Sequence, residues 1–235
     1  PKSGRPKDVN FPGFFETTLD NGISLVVIED RKLPLVTSRF IFKTGSYADH
    51  LWGKKYEGLS SITSELLTKG TGKMTASEIA DETDYFGASL SSGCDYDATY
   101  ISTYSLKKYF DKVFEIAADV ILNPSFPESE LKRIKEQRIN SLLSMSDDGE
   151  YLADKIFRAE VYKNSPYALQ SEGSKESVKI ITTDLTKDFY KKYFRPDNLI
   201  IAMVGDISPD EAMLKISSEL KFDIKGRTKN PKIIN

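Results

Sequence analysis

One short segment, residues 58–71 (GLSSITSELLTKGT), constrains the fold of this chain most. Its apolar residues recur at helical spacing, which predicts an amphipathic helix with one buried stripe: Leu59, Ile62, Leu66 and Leu67. Ser61, Ser64 and Glu65 fall on the opposite side, and Gly70 suits the end of the helix. Residues at i, i+3 and i+4 of a helix can share one metal ion, but two serines and one glutamate are a poor ligand set. The segment therefore predicts a helix that packs on a core and presents a polar face.

Strand and helix signals alternate irregularly along the rest of the chain. The turn Asp20–Asn21–Gly22 predicts an early hairpin, residues 35–44 and 88–104 have the composition of strands, and residues 199–204 (LIIAMV) predict a buried strand. Further helices are predicted at residues 75–86, 106–122, 127–145, 151–162, 183–194 and 208–220. An early cluster of strands and one late strand favour an α+β domain whose largely antiparallel sheet is covered by helices on one face.

The domain organisation follows from these signals and from composition. Residues 1–13 are polar and rich in Pro and Gly, which predicts an extended arm, and residues 223–235 are polar and basic, which predicts a linker. Residues 14–222 between them are expected to form one α+β domain, since 39% of the 235 residues are hydrophobic. Because residue 1 is Pro and not Met, a processed or trimmed product is expected.

Charge and residue counts exclude several classes of function. A formal net charge of −2 gives no general attraction to nucleic acid or anionic lipid, so neither partner is expected. No apolar run approaches the roughly 18–20 residues of a transmembrane helix. The chain has one cysteine, Cys94, and one histidine, His50, so it can form neither an internal disulfide nor a zinc site with two histidines of its own. A Ser-His-Asp or Cys-His catalytic group is hard to build for the same reason.

The order of the segments carries a resemblance. These segments are LTKGT at 67–71, SEIADETDYFG at 77–87, the strand pair at 87–100, NPSFPESEL at 123–131, the loop at 162–173 and the segment at 189–206. In this order they resemble the N-terminal half of a subunit of the inverzincin zinc peptidases, the family of pitrilysin, insulinase and mitochondrial processing peptidase. Active members carry the zinc motif H-x-x-E-H on a helix. The resemblance implies the fold of a processing-peptidase-like metallohydrolase domain.

The departures from the family pattern lie in the zinc site. When the segments are aligned, the first histidine falls on Ser61, the catalytic glutamate on Ser64 and the second histidine on Glu65. The third ligand falls near Asn140, on Ser141. Catalytic zinc needs three protein ligands, a bound water and a general base. The resemblance therefore implies an inactive member whose ancestral zinc site is lost, with no catalytic residue and no cofactor.

Two interpretations remain open for each polar feature. Ser61, Ser64 and Glu65 form either a solvated helix face or one wall of a substrate cavity. The strand formed by Ser89, Leu90, Ser91, Ser92 and Gly93 is either plain sheet structure or, as the resemblance implies, an edge strand that pairs with extended substrate. Pairing through the backbone does not depend on zinc, so it could persist after the ligands are lost.

The expected function is that of a non-catalytic domain or subunit. The resemblance implies that it binds a peptide or unfolded polypeptide and pairs with a homologous zinc-bearing subunit or a second domain. The alternatives are a purely structural subunit like the core proteins of the cytochrome bc1 complex, a stand-alone peptide-binding module, and an active enzyme with unconventional ligands. The arm and the hairpin at 15–22 resemble those of secreted bacterial members, which favours a periplasmic or extracytoplasmic location over a cytoplasmic one.

Overall fold

A six-stranded sheet organises residues 12–223, the part of the chain that the computed structural model describes. Its strands are β1 (Phe15–Thr18), β2 (Ser24–Glu29), β3 (Leu35–Phe42), β4 (Ser89–Cys94), β5 (Thr99–Leu106) and β6 (Leu199–Gly205). Their order in the sheet is β1-β2-β6-β3-β5-β4. β2 and β6 are parallel, and every other neighbouring pair is antiparallel. The predicted α+β class with a mostly antiparallel sheet is confirmed.

The helices, in chain order, are α1 (Asp49–Trp52), α2 (Leu59–Leu67), α3 (Ala76–Tyr85), α4 (Phe110–Leu122), α5 (Glu128–Met145), α6 (Gly149–Tyr162), α7 (Lys175–Ile180), α8 (Thr183–Tyr193) and α9 (Pro209–Glu219). Capping boxes begin α3 and α9, which lie within the helices predicted at 75–86 and 208–220. A third capping box, between Ser174 and Ser177, begins α7, which the sequence pattern did not predict. Among residues 12–223 no helix is long and apolar enough to cross a membrane.

The core lies between one face of the sheet and the helices. Burial alternates along β3, where Val36, Phe40 and Phe42 are buried while Thr37 and Arg39 on the other face are exposed. This alternation is typical of a sheet with helices on one face, because successive side chains point to opposite sides.

α2 is more deeply buried than its amphipathic pattern predicts. Ser60, Thr63 and Ser64 are fully buried although they are polar, and only Ser61 and Glu65 are partly exposed among the described polar residues of the helix. The reason is that α2 contacts α5, α8, β4 and β5, so it has neighbours on several sides. The prediction of a solvated face is therefore wrong for Ser64.

A buried carboxylate anchors the beginning of α2. The segment at 45–57 contains α1 and places Asp49 in the interior. The backbone N–H groups of Gly58 and Ser60 donate to Asp49 at 2.8 and 2.9 Å, and the Ser60 hydroxyl donates to it as well. Asp49 thus satisfies N–H groups that the first turn of a helix leaves free.

Two predictions fall almost wholly outside the described residues. The predicted arm at 1–13 and the predicted linker at 223–235 contribute only their innermost residues, 12, 13 and 223, to the described part. The described residues of the predicted domain at 14–222 contain the six-stranded sheet and the helices given above.

Candidate functional site

A cavity of about 300 Å³ opens beside the end of β4, between α2, α5 and the loop at residues 170–173. Its lining is polar and comes from four separate segments: Ser61, Glu65, Ser92, Cys94, Arg138 and Glu172. The cavity includes two of the positions that the alignment assigns to lost zinc ligands, Ser61 and Glu65.

The Arg138 side chain forms polar contacts with three residues of this cavity. One terminal nitrogen donates to Ser61 Oγ at 2.9 Å and to the backbone oxygen of Glu172 at 3.3 Å. The other donates to Glu65 Oε2 at 3.1 Å, which forms an ion pair. The Arg138 side chain is only 18% exposed, and charge-assisted hydrogen bonds in such a setting are stronger than neutral ones. A single guanidinium therefore joins α2, α5 and the 170–173 loop.

The four predicted zinc positions are only partly brought together. Ser61 and Glu65 face the cavity, as one of the two sequence interpretations expects. Ser64 lies inside the core, where its hydroxyl has no hydrogen-bond partner among the described residues. Ser141 is exposed and does not line the cavity. The α5 residue that contacts Ser61 and Glu65 is Arg138.

The apolar pattern of α5 indicates that Arg138 points toward the interior, which the alignment of segments does not reveal. Leu131 and Ile134 are the buried residues of α5, and Arg138 continues their stripe at i+3 and i+7. An arginine on the inward stripe of a helix needs a partner in the interior. Glu65, 73 positions earlier, is that partner.

Two glycines bring the 170–173 loop against the beginning of α2. Gly58 has φ of 88° and Gly173 has φ of 82°, a backbone region that favours glycine. A Cβ atom on Gly173 would lie 2.6 Å from the backbone oxygen of Glu57, so the two chain segments touch through their backbones. This contact fixes the Glu172 carbonyl that accepts from Arg138.

The strand β4 forms one edge of the sheet, as the resemblance implies. Ser89, Leu90, Ser91, Ser92 and Gly93 all lie in it and pair with β5 on one side only. The Tyr100 ring packs over Gly93. A Cβ atom at position 93 would lie 2.5 Å from this ring, so glycine fits there. Among the residues of β4, Ser92, Gly93 and Cys94 line the cavity. The free edge and the cavity are therefore contiguous.

The site has little means of hydrolysing a peptide bond. Burial raises the pKa of the Cys94 thiol to about 12, so the thiol stays protonated and is a weak nucleophile. Glu65 is held by Arg138, and no cluster of three His, Cys, Asp or Glu residues suited to a metal ion occurs within residues 12–223. The residues present do not fit a zinc ion, because one paired carboxylate and one hydroxyl replace two imidazoles.

Comparison with protein families agrees with this geometry. A family model described as "Insulinase (Peptidase family M16)" matches residues 25–173. The chain belongs to this family. A second model, described as "Peptidase M16 inactive domain", matches residues 181–233. In the structure this second match supplies α8, β6 and α9, and β6 pairs with β2 and β3 from the first match.

The relatives that this chain matches in the M16 family include proteins whose names do not describe a peptidase. The chain is 25% identical over 205 residues to "Non-peptidase homolog YmxG" of Helicobacter pylori, which covers 87% of this chain and 47% of that protein. It is 30% identical over 192 residues to mitochondrial "Cytochrome b-c1 complex subunit 1" of Caenorhabditis elegans, covering 80% and 39%.

A solved structure is also similar. The crystal structure of a peptidase M16 inactive domain from Pseudomonas fluorescens matches with a TM-score of 0.84 and 27% identity, covering 88% of this chain and 50% of that one. The chain thus spans about half the length or less of these relatives. The recognition of an inverzincin family member with the fold of this family is confirmed.

Proposed function

We propose that this chain is a non-catalytic part of an M16-family protein and that it holds an extended peptide along β4. The observation that carries the proposal is the position of the free β4 edge, which runs into the cavity at Ser92 and Cys94. An unpaired strand edge offers backbone N–H and C=O groups to another strand. Apart from Leu90, the side chains along β4 are small.

The proposed lack of hydrolysis rests on the residues at the vacated catalytic positions. Ser61, Ser64 and Glu65 stand where the family's active members have two zinc ligands and a general base. Zinc is not part of the proposed site, and the chain by itself is proposed to release peptides uncleaved.

A test of peptide binding can exploit the period of a strand. An edge strand forms hydrogen bonds with every second residue of the strand beside it. N-methylation of peptide amides should therefore weaken binding only when the methylated amides are the ones that face β4. We expect a labelled extended peptide to bind in fluorescence anisotropy and to remain intact. Of two isomers methylated on alternating sets of amides, one should bind at least about tenfold more weakly than the other.

Hydrogen exchange supplies an internal control for the same experiment. Bound peptide should slow exchange of amides in β4, while β1, the opposite edge of the sheet, should be unaffected. Equal protection of both edges, equal binding of the two methylated isomers, or one zinc per purified chain by elemental analysis would contradict the proposal.

The second part of the proposal concerns a partner. We infer that the chain packs against a homologous zinc-bearing subunit or domain, which supplies the chemistry while this chain closes the cavity. The exposed apolar residues of α6, among them Ile156 and Phe157, support this, because large apolar side chains are usually covered in an assembly. A pull-down that recovers an H-x-x-E-H homologue would support the inference, and recovery of unfolded peptides alone would favour a stand-alone module.

A purely structural subunit is the second candidate function. It is favoured by the similarity to cytochrome b-c1 complex subunit 1 of Caenorhabditis elegans. This candidate predicts a stable complex but no protection of β4 by peptides. For location we propose a periplasmic or extracytoplasmic site, which cell fractionation with an antibody against the chain would test.

A further inference from the structure

The cavity next to β4 contains a cation that belongs to the chain itself. Arg138 contacts Ser61 and Glu65, the two cavity positions that align with histidine ligands, and its guanidinium lies within 2.9–3.1 Å of their oxygen atoms. A metal ion held by side chains at these two positions and by α5 would lie in the same place.

The charge of Arg138 excludes a metal ion as long as its side chain stays in the cavity. A guanidinium does not lose its proton in proteins, so it repels a divalent cation at this distance. Arg138 also forms an ion pair with Glu65. Of Ser61, Ser64 and Glu65 on α2, Glu65 is the residue whose side chain could bind zinc. The same contact gives that carboxylate, which is 37% exposed, a partner of opposite charge.

The three segments that Arg138 joins are distant in the chain. Its contacts are 77, 73 and 34 positions away, and they fix α2 and the Glu172 carbonyl relative to α5. These segments are walls of the cavity on which the β4 edge opens.

We propose that the Arg138 guanidinium replaces a metal ion as the fixed cation of this cavity. Arg138 is a positioning residue: it holds the walls of the cavity at a set distance without any chemistry of its own. The inference goes beyond the proposed peptide binding and does not require it.

Zinc titration tests whether the guanidinium occupies the place of a metal ion. The double variant S61H/E65H keeps Arg138, and the triple variant S61H/E65H/R138M removes its charge without adding a ligand. We expect the triple variant to bind zinc at least about tenfold more tightly than the double variant, because the two histidines then share the cavity with no fixed cation. Equal zinc affinity of the two variants would overturn the proposal.

Urea unfolding tests the contact between Arg138 and Glu65 in a chain without added histidines, and it does not depend on the zinc result. We expect E65Q and R138M each to lower the urea midpoint, and the double variant to lie no lower than R138M alone, since both remove the same contact. R133M is the matched control, because in residues 12–223 the hydrogen bonds of Arg133 stay within α5, to Glu130 and Gln137, and its midpoint should be unchanged. Additive effects of E65Q and R138M, or equal midpoints for R138M and R133M, would exclude the role. Neither measurement uses a peptide, so their failure is distinct from a failure of the proposed peptide binding.

Discussion

At the residue scale, Asp49 shows how one buried group can make stability depend on pH. Burial raises the pKa of its carboxyl from 3.8 to about 7, although the Ser60 hydroxyl and the N–H groups of Ser60 and Gly58 donate to it. Below 3.8 the group is protonated in both the folded and the unfolded chain. Between 3.8 and 7 the unfolded chain is ionised while the folded chain keeps the proton, so the contribution of Asp49 to stability falls as the pH rises through this range.

The variant Asp49→Asn should reveal this dependence. At pH 5 we expect the variant to be less stable than the native chain, because an amide cannot accept all three hydrogen bonds. At pH 8 the deficit should shrink by roughly 1–4 kcal/mol, since the native chain then buries a charge that the variant lacks. Urea unfolding at both pH values measures the difference, and Asp188→Asn, which removes an exposed carboxylate from α8, controls for net charge. A deficit that stays constant or grows towards pH 8 would show that Asp49 is ionised throughout.

At the element scale, the end of β6 depends on a glycine. Gly205 has φ of 130°, and a Cβ atom there would lie 2.0 Å from the backbone oxygen of Leu35. Gly205 also pairs with Glu29 of β2 and Val36 of β3, so any shift of its backbone disturbs both neighbours.

We therefore expect Gly205→Ala to lower the free energy of unfolding by more than about 1 kcal/mol, as measured by urea denaturation. The control is Gly72→Ala, where a Cβ atom would meet nothing within 4 Å. If both alanine variants unfold at the same urea concentration, the tight packing at Gly205 is not a constraint on the fold.

Elements with local signals could be predicted from the sequence, and those that depend on distant contacts could not. The hairpin at Asp20–Asn21–Gly22 and the capping boxes of α3 and α9 are local, and all three are present. α7 was missed because its cap uses Ser177 where the usual pattern has Glu or Gln. The candidate site was found at Ser61 and Glu65 through the resemblance, but the contact of Arg138 joins residues more than 70 positions apart. The periodicity of α5 places Arg138 on its inward stripe, but it does not specify which turn of α5 meets α2.

At the scale of the whole molecule, α6 is the least buried of the helices within residues 12–223. None of its residues is buried, and Ile156 and Phe157 are 64% and 60% exposed. Apolar side chains that contact so little within the described residues contribute little to the stability of the chain alone.

We expect the double variant I156S/F157S to unfold within about 0.5 kcal/mol of the native chain, as surface substitutions usually do. By contrast, Ile62→Ala in the core should cost roughly 2–5 kcal/mol. In mixtures with a zinc-bearing homologue, analytical ultracentrifugation should show weaker association for I156S/F157S only. A large loss of stability in this variant would mean that α6 supports the fold and is not a surface kept for a partner.

The place of β6 in the sheet has a consequence for how the chain reaches its native state. β6 lies between β2 and β3, and it is parallel to a strand that precedes it by about 175 residues, since Ser24 pairs with Ile200. Until residues 199–205 arrive, the β1–β2 hairpin and the β3–β5–β4 group have no common hydrogen bonds, and each exposes an open apolar edge. Pairing over such a distance slows folding and leaves those edges free to aggregate. A chain growing on a ribosome would therefore hold two unjoined half-sheets from the synthesis of β5 until β6 is made, and in that interval a chaperone could cover their edges.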